Sequence, residues 1–298
     1  MKIEDFKNQI ITKEDLLYLE KFLNEKENYV RELNDVYPLF EDLVIDKFDR
    51  LSFFKLKTIC ERISRNCKDK KAFALALKLI YRLINYGEEN NSNVDYAVDS
   101  ALANLYEILA EIIYEGNIDF IPYSYKAKEF EIDKDSKLAL EYFKKAHFIN
   151  PIDKYISSSL AYHYFYVGDF YKSYAYYPKY DDDFWFGNQD VFAYTFLGCK
   201  FDEELKKGNT NTSKMVYDCF YNAYKISKDC NDLDVGLMVD VLYNMAYCYI
   251  KGIFVKKNIN NGKKYLEKID SYLSEKGKDI FSLDDPDRII KDYYIKKC

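Results

Sequence analysis

Residues 138–180 read LALEYFKKAHFINPIDKYISSSLAYHYFYVGDFYKSYAYYPKY, and the fold turns on this stretch. Ala139, Tyr142, Phe143, Lys145 and Ala146 return 34 positions later as Ser173, Tyr176, Tyr177, Lys179 and Tyr180. Steps of three and four residues put the apolar members of each set on one face of a helix. Between the two sets, Pro151 closes the first helix, Leu160, Ala161 and Tyr164 mark another, and Gly168-Asp169 turns the chain. A self-similar period of this length predicts stacked supersecondary units, each burying its apolar face against the next.

Looser copies lie on either side. Upstream, Leu109-Ala110 and Gly116 give a first helix for the Ala139 set, across a loop lengthened by residues 118–130. Downstream, Leu197-Gly198 leads past Gly208 to Val216, Cys219, Phe220, Asn222 and Ala223. Met245-Ala246, Tyr249, Gly252 and Val255 then lead to Gly262, Tyr265, Leu266, Lys268 and Ile269. The pattern resembles the tetratricopeptide repeat, with small residues where helices cross, an aromatic one turn on, a glycine between helices and a proline at the end. Residues 243–255 resemble the Sel-like variant, whose inter-helix loop is longer. Ser173 stands where the family usually has alanine, and Tyr180 fills a position that is normally small. The resemblance spans roughly residues 96–275 and implies an all-α, right-handed solenoid of antiparallel helix hairpins.

The remaining segments extend this helical reading. Leu16, Leu17, Leu19, Phe22 and Leu23 keep a helical period behind Thr12 as N-cap, with Glu14 and Asp15 in the first turn. Apolar periodicity continues over residues 29–48 and 51–63, and again over 71–86, where Gly87 and the polar run 88–93 predict a stop. The expected organisation is an N-terminal helical segment (1–87) that extends or caps the solenoid, the repeats (96–275) and a C-terminal capping helix (282–298) beginning near Pro286.

Composition agrees with a folded helical chain: 48% hydrophobic and 18% aromatic residues, 31 of them tyrosine, against ten glycines and five prolines in 298 residues. Forty-four basic and 50 acidic residues are interspersed, and the net charge of −6 supplies no basic stripe for nucleic acid. No run is long and apolar enough to cross a bilayer, and the first residues lack a charged-then-apolar leader, so a cytoplasmic protein is expected. Seven cysteines read as small core residues, because Cys60 and Cys67 lie too far apart along one helix to bridge.

Catalytic patterns are not apparent. His147 and His163 lack the spacing or companions of a metal site, and no phosphate-cradling or nucleophile-elbow sequence occurs. Asp181, Asp182 and Asp183, followed by Phe184, Trp185 and Phe186, lack the spaced ligands of a calcium loop. They read instead as a helix-capping turn or a loop that touches a partner. No metal or cofactor is expected, and the chain is read as a non-enzyme.

The resemblance implies that first helices line a concave groove. In the best-matched unit this assigns Tyr155, Ser158, Tyr162, Phe165 and Tyr166 to partner contact. Equivalent slots on neighbouring first helices hold Glu107, Glu111, Tyr114, Phe192, Asp202, Glu203, Tyr243 and Tyr247. Aromatics anchor peptides with few rotamers to freeze, and the carboxylates favour a basic or amphipathic segment. The expected function is a protein- or peptide-binding scaffold, the alternative being a peptide-responsive sensor without its own DNA-binding domain. An enzyme on a helical-repeat frame has the least support.

Overall fold

A computed structural model describes residues 1–25, 50–90, 96–114, 130–181, 186–230 and 232–278. Every regular element among them is helical. They divide into two compact units, Met1–Val167 and Gly168–Cys298. None of their helices is long and apolar enough to cross a membrane.

Among the described residues, the first unit contains a 3₁₀ turn (Ile3–Phe6) and the helices α1 (Lys13–Glu25), α2 (Arg50–Asn66), α3 (Lys70–Asn90), α4 (Tyr96–Ile113), α5 (Ser136–Ile149) and α6 (Lys154–Tyr166). Thr12 caps α1 as expected: its Oγ1 accepts from the Asp15 N–H at 3.1 Å, and the Asp15 carboxylate accepts from the Thr12 N–H at 3.1 Å. This reciprocal pair satisfies two amide donors that a helix start otherwise leaves open. The expected helix over 29–48 and the C-terminal cap over 282–298 lie outside the described residues.

Gly87 does not end a helix. α3 runs through it to Asn90, because a Cβ at Gly87 would stand 3.0 Å from Leu102 Cδ1 and the glycine lets α3 approach α4 closely. Local sequence offered a stop; tertiary packing uses the same residue as a contact. α4 is the centre of this unit, buried on nearly every side from Ala101 to Ile113 and packed by α2, α3, α5 and α6. α5 supplies Ala139, Phe143 and Ala146 to that packing, all fully buried. Asp135 caps α5 through the Lys137 and Leu138 amides, and Asp153 caps α6 through those of Tyr155 and Ile156. Pro151 separates the two, as expected.

The second unit contains α7 (Phe170–Tyr176), α8 (Asn188–Lys206), a 3₁₀ turn (Thr210–Thr212), α9 (Ser213–Ser227), α10 (Val235–Lys251) and α11 (Ile259–Glu275). The 34-residue copy is cut short here. α7 ends at Tyr176, and Tyr177 is extended at φ −64°, ψ 125°, because it precedes Pro178. Tyr180 therefore lies beyond the helix. Its N–H donates to Asn222 Oδ1 at 3.0 Å and its hydroxyl to Asp229 at 2.7 Å.

The two later helix pairs close through glycine. A Cβ at Gly198 on α8 would fall 2.5 Å from the Phe220 ring of α9. One at Gly262 on α11 would fall 2.5 Å from Ile250 and 3.1 Å from the Ala246 carbonyl, both on α10. Gly252, left-handed at φ 77°, caps α10, and its N–H returns to the Cys248 carbonyl at 2.9 Å. Cys60, Cys67, Cys219 and Cys248 are buried, and no described cysteine belongs to a disulfide.

Candidate functional site

Several of the residues assigned to a groove fall on two helix–helix seams, one in each unit. Glu107 and Glu111 on α4, and Tyr114 just past its end, share the face that meets α6 and are buried at 8%, 5% and 1% exposure. Glu107 accepts hydrogen bonds from Ser159 Oγ at 3.0 Å and Asn104 Nδ2 at 3.4 Å. Burial still pushes its carboxyl well above the usual carboxylate range, against both hydrogen bonds, which favour the ionised form. Tyr114 packs against His163, Phe143 and Tyr166, with ring centroids 5.2, 6.3 and 6.5 Å away. His163 is enclosed at 2% exposure; burial, with a smaller contribution from Lys144, drives its pKa down to about 4 and keeps the ring neutral.

The second seam repeats the chemistry with other residues. Asp202 on α8 accepts from the Tyr247 hydroxyl of α10 at 3.2 Å and pairs with Lys206 at 2.6 Å. The hydrogen bond to Asp202 raises the Lys206 pKa. Tyr243 is buried beside this contact, Tyr247 is half-buried, and Phe192 and Glu203 are exposed.

Tyr114, Glu111, Tyr162 and Tyr243 thus stand inside the packing rather than on an open face. The reason is geometric: slots that a widely open superhelix would leave to a ligand are here filled by the next helix. Tyr155 and Tyr166, at opposite ends of α6, remain exposed, and Phe165 is half-buried. Asp181 is half-buried, while Asp182, Asp183 and Trp185 lie outside the described residues. α8 starts from Gly187, whose N–H donates to Asp190 at 2.7 Å, so the cap comes from inside the helix. His147 is half-buried, and its Nδ1 lies 3.3 Å from Ser157 Oγ.

A feature absent from the sequence reading lies on α9, α10 and α11. Tyr217, Tyr221 and Tyr224 follow i, i+4, i+7 along α9 and meet Tyr249, Phe254 and Tyr265 in one continuous run of rings. Lys228 and Lys268 stand over its Tyr224 end. The α9 spacing, with Lys214 and Lys228 at the same helical phase, is a signal the sequence does contain.

In the first unit, a cleft of about 530 Å³ separates residues 7–11 from α3 and is lined by Lys7, Lys78, Arg82 and Tyr86 among others. Lys78 sits 3.7 Å from Asp15. Among the described residues no group of three or more histidine, cysteine or carboxylate side chains could hold a common metal ion. No protein-family model, curated protein or solved structure matches this chain.

Proposed function

We propose that this chain is a non-catalytic, protein- or peptide-binding scaffold of the tetratricopeptide/Sel-like kind, built as a right-handed solenoid of antiparallel hairpins. One recurrence carries the reading. Where one hairpin follows another, the first helices join through a carboxylate that takes a hydroxyl from the neighbouring helix: Glu107 with Ser159, and Asp202 with Tyr247. A contact reused with different residues supports a common spacing between units, as a repeat array requires. Small residues at the helix crossings, Ala139 and Ala146, Gly198, Ala246 and Gly262, support it as well.

The buried groove members set the spacing between helices, and the partner meets the aromatics left at the rim, Tyr155 and Tyr166 with Phe165 beside them. Exposed tyrosine supplies contact area at small entropic cost. A basic or amphipathic segment suits this rim. The test is affinity capture from cytosol of the source cells with the wild-type chain and a Tyr155→Ala/Tyr166→Ala variant. Both side chains are exposed, so circular dichroism should be unchanged. A partner retained by the wild type and lost by the variant is the expected result; retention of every partner by the folded variant refutes the α6 contact.

A further inference from the structure

The ring cluster of the second unit differs from the α6 rim in both composition and charge. Its rings form a chain: Tyr221 to Tyr217 (centroids 5.8 Å apart, planes at 18°), Tyr217 to Tyr249 (6.5 Å, 89°), Tyr249 to Tyr265 (5.7 Å, 15°) and Tyr265 to Tyr224 (5.1 Å, 79°). Phe254, held at φ 60° just past α10, joins through Tyr217 at 6.1 Å. Apart from Tyr224, which is buried at 7% exposure, these rings are not core. Tyr221 and Phe254 are 40% and 54% exposed, and Tyr217, Tyr249 and Tyr265 are half-buried.

Two ammonium groups converge at one end. Lys228 Nζ lies 4.4 Å from the Tyr224 ring centroid; Lys268 Nζ lies 5.2 Å from Tyr224 and 5.0 Å from Tyr265, and donates to the Tyr224 hydroxyl at 2.8 Å. Just past the end of α11, Lys276 stands over Tyr272 at 5.7 Å. Some lysines, Lys57 with Glu61 and Lys206 with Asp202 among them, are paired with carboxylates. Lys228 and Lys268 have no carboxylate within ion-pair distance among the described residues, although acidic residues outnumber basic ones in the chain, 50 to 44. Two cations without an ion-paired carboxylate among the described residues, beside a half-exposed apolar surface, form a site for an anion that also carries apolar side chains.

We infer that the tyrosine–lysine face of α9, α10 and α11 docks an acidic segment of a protein partner, its carboxylates on Lys228 and Lys268 and its apolar side chains on the tyrosine run. Charge selects the carboxylates, and the rings provide area at low entropic cost. A single-stranded nucleic acid fits less well. Tyr217 with Tyr221, and Tyr249 with Tyr265, are stacked on each other, which removes ring faces that bases would need, and a net charge of −6 repels a polyanion. The inference deepens the scaffold reading but uses a different face, so the two can fail separately.

Fluorescence anisotropy with the full chain tests it, using a fluorescein-labelled peptide of alternating Glu and Leu, its Lys/Leu counterpart and a labelled oligouridylate. The wild type and Tyr155→Ala/Tyr166→Ala should bind the Glu/Leu peptide equally. Lys228→Gln/Lys268→Gln should bind it more than about tenfold more weakly, each exposed charge contact contributing up to about fivefold. The lysines are at the surface, so the variant keeps its fold by circular dichroism. The inference is overturned if the Glu/Leu peptide shows no saturable binding, if it binds the lysine variant within twofold of wild type, or if the Lys/Leu peptide or oligouridylate binds this face more tightly. Loss of Glu/Leu binding in the Tyr155→Ala/Tyr166→Ala variant would assign the acidic segment to the α6 rim instead.

Discussion

Acidification acts on the α4–α6 seam in two opposing directions. His163, neutral and enclosed, has its pKa lowered from 6.5 to about 4. A depressed folded-state pKa gives stability that is complete above the unfolded value and is lost as pH falls toward the folded one. Over that interval the unfolded chain takes up a proton that the folded chain refuses, which destabilises the fold by about 3 kcal/mol at roughly 1.4 kcal/mol per pH unit. Glu107, whose pKa is raised by burial, has the reverse sign. Its contribution is complete below the ordinary carboxylate range and is lost as pH rises through the folded value, so acid relieves the strain of burying its charge. The wild type therefore shows a flattened response, and removing either group exposes the other. Urea midpoints followed by circular dichroism between about pH 7 and pH 4.5 should fall more steeply with acid in Glu107→Gln than in wild type, by up to about 3 kcal/mol across the range. In His163→Gln the same acidification should cost less than in wild type. Differences from wild type at each pH cancel the other carboxylates. In parallel, the His163 imidazole proton resonances should not titrate above about pH 5. A His163→Gln profile parallel to wild type, or a His163 titration near 6.5, would refute the reasoning.

Two further outcomes follow from packing. Gly198→Ala should destabilise the chain by about 1–3 kcal/mol, read as a lowered urea midpoint, because its Cβ would meet the Phe220 ring at 2.5 Å. Phe220→Leu in the same chain should recover part of the loss, and an unaltered midpoint in Gly198→Ala would contradict the close α8–α9 crossing. Cys60, Cys219 and Cys248, whose thiols burial pushes upward (Cys248 to about 12), should resist an aromatic disulfide reagent at neutral pH until urea unfolds the chain, as read by mass spectrometry of labelled peptides. Labelling of these three in the native state would contradict their burial.

Helix positions were largely legible in the sequence because periodicity and caps are local. The Thr12–Asp15 box, the Ala139 set and Pro151 each act within one or two turns. Gly87 and Tyr180 were misread where a neighbour decides: the first is claimed by Leu102 across a helix crossing, and the second is released from its helix by Pro178. Exposure was the least legible property. Tyr114 and Phe165 follow Leu109-Ala110 and Leu160-Ala161 at the same spacing, yet the first is sealed by α5 and α6 and the second is half-buried, because an aromatic suits either environment and only the approach of the next helix separates them. Glu107 carried no mark of its burial, since carboxylates are ordinarily placed outside. The tyrosine–lysine face is not legible in the sequence because it combines residues of three helices, which only their packing brings together.

The contrast between α4 and α11 has a consequence for how such a chain can change. α4 is enclosed along most of its length, so a substitution there must be answered by several neighbours at once, and a saturation scan should find it intolerant. On α11 only Gly262, Ile269 and Leu273 are buried. Exposed positions of that helix, Lys263, Lys264, Glu267, Lys268 and Asp270 among them, can vary with little effect on folding, so its charge pattern can be rewritten one residue at a time while the enclosed helix holds the architecture constant.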